Sequence, residues 1–142
     1  PSLVLGQIGR FFALVPASPS PELQALAADC VMAFDRFRAP LGEADIARRR
    51  PESLSPRERH NLMTWGYPYV LDDFLFHMTL TGPVEEADQP RMRAAIEAHF
   101  DGLLGKPLAV GALAIFTERA RGEPFMLRHI APLAGNVTRK TA

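Results

Sequence analysis

Cysteine is nearly missing from this sequence: Cys30 stands alone among 142 residues. That excludes an internal disulfide and points to a reducing cytoplasm. No apolar run is long enough to span a bilayer, and the start lacks the pattern of a secretory leader, so no membrane partner is expected. An excess of charge is absent too, with Lys+Arg and Asp+Glu at 16 each. A general nucleic-acid binder needs a basic footprint, so nucleic acid is not expected as a partner, short RNA ends excepted. A small phosphorylated substrate needs only a local cationic pocket and stays open. There is no glycine-rich phosphate loop. With one cysteine and no His, Asp and Glu clustered at ligand spacing, neither zinc nor another metal is expected, and no cofactor.

What is present is an ordinary globular balance, 47% hydrophobic and 23% charged, which permits a core and fits one domain or lobe over 1–142. Residues 3–8 and 11–15 are apolar and β-prone around Gly9-Arg10, which predicts two consecutive strands. Ser20 is placed to cap a helix that Pro21 opens. Leu23, Leu26, Ala27, Cys30, Val31 and Phe34 then recur at helical spacing, predicting a buried face to about residue 37, with Cys30 as a small core residue. Residues 39–66 predict a helical insertion. Pro51 ends its first short helix, and Ser55 with Glu58 forms a capping box for the second. Gly66 and Pro68 stop that one.

Residues 69–81 predict a strand. From Phe74 the alternation puts Phe74, Phe76, Met78 and Leu80 on a face expected to bury, and Leu75, His77, Thr79 and Thr81 on the other. A second long helix follows. Asp88 or a neighbour caps it, and its stripe runs Met92, Ile96, Phe100, Leu103 to a stop at Gly105. Two further strands, 108–117 and 124–131, flank a turn at 119–124, and the tail 135–142 is expected to fray. The chain opens at Pro1 almost inside a strand, as a piece cut from something longer would. The predicted class is α+β: an antiparallel sheet backed by the two long helices on one face.

His77-Met78-Thr79 places an imidazole and a hydroxyl about 6–7 Å apart on one side of a strand. A hydroxyl can donate to a phosphoryl oxygen while an imidazole moves a proton to or from a bridging oxygen or water. The spacing alone is more often that of a histidine bonded to a threonine and doing nothing. Thr81 either lines the same cleft or serves the turn at Gly82-Pro83. Tyr67 and Tyr69 either stack on a substrate or pack. Arg10, Arg119 and Arg128 are possible phosphate clamps, and Arg48, Arg49 and Arg50 form either a lid or a solvated face.

Phe76-His77-Met78-Thr79-Leu80 matches the apolar–His–x–Thr–apolar pattern of the two-histidine (2H) phosphoesterase superfamily. The string from Trp65 to Val70, then Phe74 to Gly82, resembles one family within it, as do Gly9 to Pro16 and Arg48 to Pro51. That family has no assigned function and is named for phosphonate metabolism. The resemblance covers nearly all of residues 3–133. It implies a fold of two similar α+β lobes around a cleft, each lobe bringing one His-x-Thr/Ser motif. It further implies hydrolysis of a cyclic phosphodiester without a metal, one histidine as base and the other as acid, with hydroxyls holding the phosphoryl oxygens. His77 and Thr79 are then the catalytic residues, and Thr81, Tyr67, Tyr69 and Arg10 the candidates for substrate binding.

The sequence departs from the pattern in having one motif only. His60, His99 and His129 lack its surroundings. The chain is therefore expected to be the second lobe of a longer protein, the N-terminal lobe or a second subunit supplying the other histidine. The 142 residues alone are expected to show little activity. A non-catalytic or regulatory module binding a nucleotide or phosphate ligand would use the same fold without turnover; an RNA-processing partner is a third reading, which the zero net charge weakens.

Overall fold

The computed structural model describes residues 1–120 and 122–133. The chain is mixed α+β and divides into two compact units, Pro1–Pro107 and the segment from Leu108. In the first unit β1 (Leu3–Ile8) and β2 (Phe11–Pro16) form a hairpin, pairing from Leu3 with Pro16 to Ile8 with Phe11. The two-residue turn requires a positive φ, and Gly9 supplies it at +58°. Strand β3 (Met78–Thr79) pairs antiparallel to β2, Ala13 opposite Thr79 and Leu14 opposite Met78, so the sheet order is β1-β2-β3.

Residues opposite each other in an antiparallel pair share a face. Leu5, Phe12, Leu14, Met78 and Leu80 therefore belong to one face, and Gly6, Phe11, Ala13, Val15 and Thr79 to the other. The first face carries the core: Phe12, Val84 and Ile96 are buried, with Leu5, Leu80, Met92 and Phe100 packed against them. Ile96, Met92 and Phe100 come from α4 (Gln89–Phe100), and the Arg93 guanidinium lies 5.2 Å from the Phe12 ring centroid.

Helix α1 (Pro21–Phe34) starts as its sequence predicts, Ser20 Oγ accepting from the Leu23 N–H, and passes into a 3-10 turn at Asp35–Phe37. The insertion holds α2 (Glu43–Arg48) and α3 (Pro56–Trp65). The capping box on α3 is complete. Ser55 Oγ accepts from the Glu58 N–H at 3.2 Å, and Glu58 accepts from the Ser55 N–H at 2.8 Å. Gly66 ends the helix at φ +80°, where Arg38 also packs so closely that an added Cβ would lie 2.9 Å from its Cδ. Ser55→Ala removes the cap and is expected to cost about 1 kcal/mol, read as a lower urea midpoint at unchanged slope.

In the second unit β4 (Ala112–Thr117) and β5 (Met126–Pro132) form an antiparallel hairpin with a register shift between Ile115 and Phe116.

Several expectations need correction. The strands make two sheets, not one. The predicted strand 69–81 shrinks to two residues, because Leu71 takes φ +53° and Leu71–Asp73 winds into a 3-10 turn, which breaks an extended run. The apolar face of that run does not bury: Phe74, Phe76 and Leu80 are half-buried and Met78 is 46% exposed, as an edge strand of two residues allows. Helix α1 buries no residue, and Cys30 is half-buried, so of the two long helices α4 is the one that supplies the core cluster. Asp88 stands at the N-cap of α4 as expected, but its side chain pairs with Arg91 and makes no capping hydrogen bond, and that helix stops at Phe100, leaving Leu103 exposed. The expected fraying of 135–142 lies outside the described residues.

Candidate active site

β2 is the scaffold of the candidate site. Its pairing fixes Thr79 opposite Ala13, on the sheet face away from the α4 core. His77 lies just ahead of β3, and its ring sits 6.1 Å from that of Phe11, a residue of the same face. His77 and Thr79 thus neighbour Phe11 and Ala13, two residues of one strand face, and both are exposed to solvent. Nδ1 lies 2.7 Å from the Leu75 carbonyl oxygen, which can only accept. Nδ1 must carry a hydrogen, so in the neutral ring Nε2 holds the free lone pair. That tautomer is ready to take a proton at Nε2, and once protonated can return it from there.

Upstream of His77 the chain is irregular and externally anchored. Asn61, buried on α3, donates its amide to the carbonyls of Pro68 and Val70 (3.2 and 3.4 Å) and to Asp73 Oδ2 at 3.0 Å. Arg57 grips the Asp73 carboxylate through Nε (2.8 and 3.0 Å) and Nη2. Those bonds raise the Arg57 pKa, hydrogen bonding to Asp73 first and the carboxylate charge second, so the guanidinium stays cationic. Gln24 of α1 donates to the Leu71 carbonyl.

A cavity of about 640 Å³ opens beside this segment. Gly6, Ile8 and Val15 of the sheet, Leu23 of α1, and Phe74 and Phe76 contribute to its lining, and no charged residue does. His77 and Thr79 do not line it; Leu75 and Phe76, the two residues before His77, do. The half-burial of Phe74 and Phe76 follows, since they face a cavity instead of a filled core.

The other sequence candidates are dispersed. Thr81 Oγ1 accepts from the Phe12 N–H at 3.0 Å, so its oxygen serves β2 while its O–H remains a donor. Arg10, in the hairpin turn, pairs with Glu85. Tyr67 and Tyr69 meet edge to face at 5.7 Å, and the Arg49 guanidinium lies 4.6 Å from the Tyr67 ring centroid. They form an aromatic–cation cluster of their own. Arg128 of the second unit donates to Thr117 Oγ1 at 2.8 Å. Sequence reasoning missed Phe11 and Asn61. The first is visible only once β2–β3 register is known. The second had a weak signal, an amide next to Leu62 on a short helix. Among the described residues no three His, Cys, Asp or Glu side chains converge as metal ligands. No helix among them is long and apolar enough to cross a membrane.

A family described as "Protein of unknown function (DUF1045)" matches residues 1–126. The chain belongs to this family. Curated relatives of this DUF1045 chain include a ribose 1,5-bisphosphate phosphokinase PhnN of Janthinobacterium sp. (strain Marseille). It is 40% identical over 129 residues, which is 88% of this chain and 28% of that protein. A second, of the same name, from Laribacter hongkongensis (strain HLHK9), is 36% identical over 142 residues, 99% of this chain and 32% of that protein. The DUF1045 chain thus spans about a third of the length of the relatives it matches. No solved structure matches it.

Proposed function

We propose that this DUF1045 chain contributes one proton-transfer half of a 2H-type phosphoesterase site that hydrolyses a small cyclic phosphodiester in phosphonate metabolism. The observation that carries the reading is the Nδ1–H bond from His77 to Leu75, which leaves Nε2 free on an exposed residue two positions before the exposed Thr79. In such a reaction a water oxygen bonds to phosphorus and the ring P–O bond breaks. One histidine takes the water proton, the other gives a proton to the departing oxygen, and a phosphomonoester results. His77 Nε2 fits either role. The Thr79 O–H donates to a non-bridging oxygen as its charge grows.

The PhnN name of both relatives supports the link to phosphonate metabolism, and a doubly phosphorylated ribose is what that name says they act on. Opening a cyclic phosphate on a ribose phosphate yields a ribose bisphosphate, so a ribosyl cyclic phosphate is the first substrate to try. The chain has no glycine-rich phosphate loop, and it covers under a third of each named relative. The kinase in the name is therefore assigned to the other two-thirds, and the second histidine to another lobe or subunit. The test is ³¹P NMR of the full-length protein with ribosyl and nucleoside cyclic phosphates. Conversion to a monoester is expected. No conversion of any of them defeats the reading.

A further inference from the structure

We infer that Asn61, acting with Asp73 and Arg57, is the positioning residue for His77; this rests on the phosphoesterase reading for its kinetic consequence but not for its geometry.

A proton-transfer group has to be held within a fraction of an ångström of its working place. His77 is not held by a regular strand. Downstream of it the pairing of Met78 and Thr79 with β2 gives support. Upstream, from the left-handed Gly66 to the left-handed Leu71, the backbone follows no repeating pattern, and a single conformation needs outside anchors.

Asn61 provides them. It is the one buried polar side chain among the described residues, 5% exposed and next to the fully buried Leu62. A buried amide is unfavourable unless its hydrogen bonds are made. Every bond it donates goes to the segment ahead of His77: two backbone carbonyls at Pro68 and Val70, and the Asp73 carboxylate. All three partners are acceptors, so the amide nitrogen, not its oxygen, must face them. Arg57 then closes on the same carboxylate from one turn earlier in α3. Helix α3 thereby grips positions 68, 70 and 73, four residues short of the imidazole. A leucine at 61 would leave all three acceptors without this donor, so the amide is explained by the path it imposes on the chain.

The test uses the full-length protein with ¹⁵N-labelled histidine. Asn61→Leu keeps the branched side-chain shape and removes the donors. It is expected to shift the His77 ring resonances away from the Nδ1–H tautomer and to lower kcat about 100-fold, the cost of roughly 1 Å of misplacement, with KM little changed. Arg57→Ala, at a side chain 64% exposed, should fold in any case and shift the same resonances in the same direction by less. Ser55→Ala is the control: it weakens α3 without touching the amide and should leave His77 unmoved. Unchanged His77 resonances in both Asn61→Leu and Arg57→Ala overturn the inference, as does an equal shift in Ser55→Ala. Because the resonances need no turnover, a protein that hydrolyses no cyclic phosphate would defeat the phosphoesterase reading while still deciding this one.

Discussion

His77→Asn in the full-length protein is expected to lower kcat on a cyclic phosphodiester by about 10²–10⁴-fold, the usual worth of a positioned proton-transfer group, with almost no change in thermal unfolding. The substitution is chosen for its geometry. The asparagine amide can still donate to the Leu75 carbonyl, as Nδ1 does over 2.7 Å, so the local chain keeps its bond. What it lacks is anything equivalent to Nε2. The ring is exposed, and its one aromatic neighbour, Phe11, is 6.1 Å away, so little packing is lost. The measurement is kcat by ³¹P NMR beside a melting curve. A fall of kcat together with melting would mean that the histidine is structural. A kcat within about twofold of the unmodified protein would mean that it transfers no proton.

Phe12→Ala should have the largest effect on stability, about 3–5 kcal/mol, the range for deleting a fully buried aromatic side chain. Phe12 is 0% exposed in the central strand of its sheet, among Val84, Ile96, Leu5, Leu80, Met92 and Phe100. Those neighbours come from β1, the segment after β3 and α4, so they cannot all move in to fill the space. Against a typical total of about 5–15 kcal/mol the loss brings the unit near unfolding. The site should suffer with it. The Phe12 carbonyl accepts from the Leu80 N–H at 2.9 Å, and its own N–H donates to Thr81. Urea denaturation followed by circular dichroism measures the effect, and a loss below about 1 kcal/mol would contradict the placement of the core.

Local chemistry was legible in the sequence wherever short-range rules decide. The Ser20 cap, the Ser55–Glu58 box, the Gly66 stop and the hairpin at Gly9 stand where residue type and spacing put them. The alternation around His77 puts Thr79 on the sheet face opposite Met78, as the β2–β3 register has it. It overestimated the strand, because alternation reports which side a residue faces and not whether a partner strand continues. Nothing in Leu71 announces a left-handed backbone; that conformation is held from outside, by Gln24 and the Asp73 network. Helix α1 has an apolar stripe but buries no residue, because periodicity says only that a helix has an apolar side, not what covers it. Arg10, Tyr67 and Tyr69 are candidates by residue type alone. Their actual partners, Glu85 and Arg49, are set by long-range packing.

The sharpest single measurement is the ¹⁵N spectrum of the His77 ring in the full-length protein, taken with and without a slowly hydrolysed cyclic phosphorothioate. In the free protein the neutral ring should carry its hydrogen on Nδ1, bonded to Leu75, with Nε2 bare. Adding the analogue should move Nε2 strongly and leave Nδ1 in place. A ring protonated at Nε2 in the free state, or an Nε2 signal that ignores saturating analogue, would contradict the assignment of His77 as the group that handles the proton.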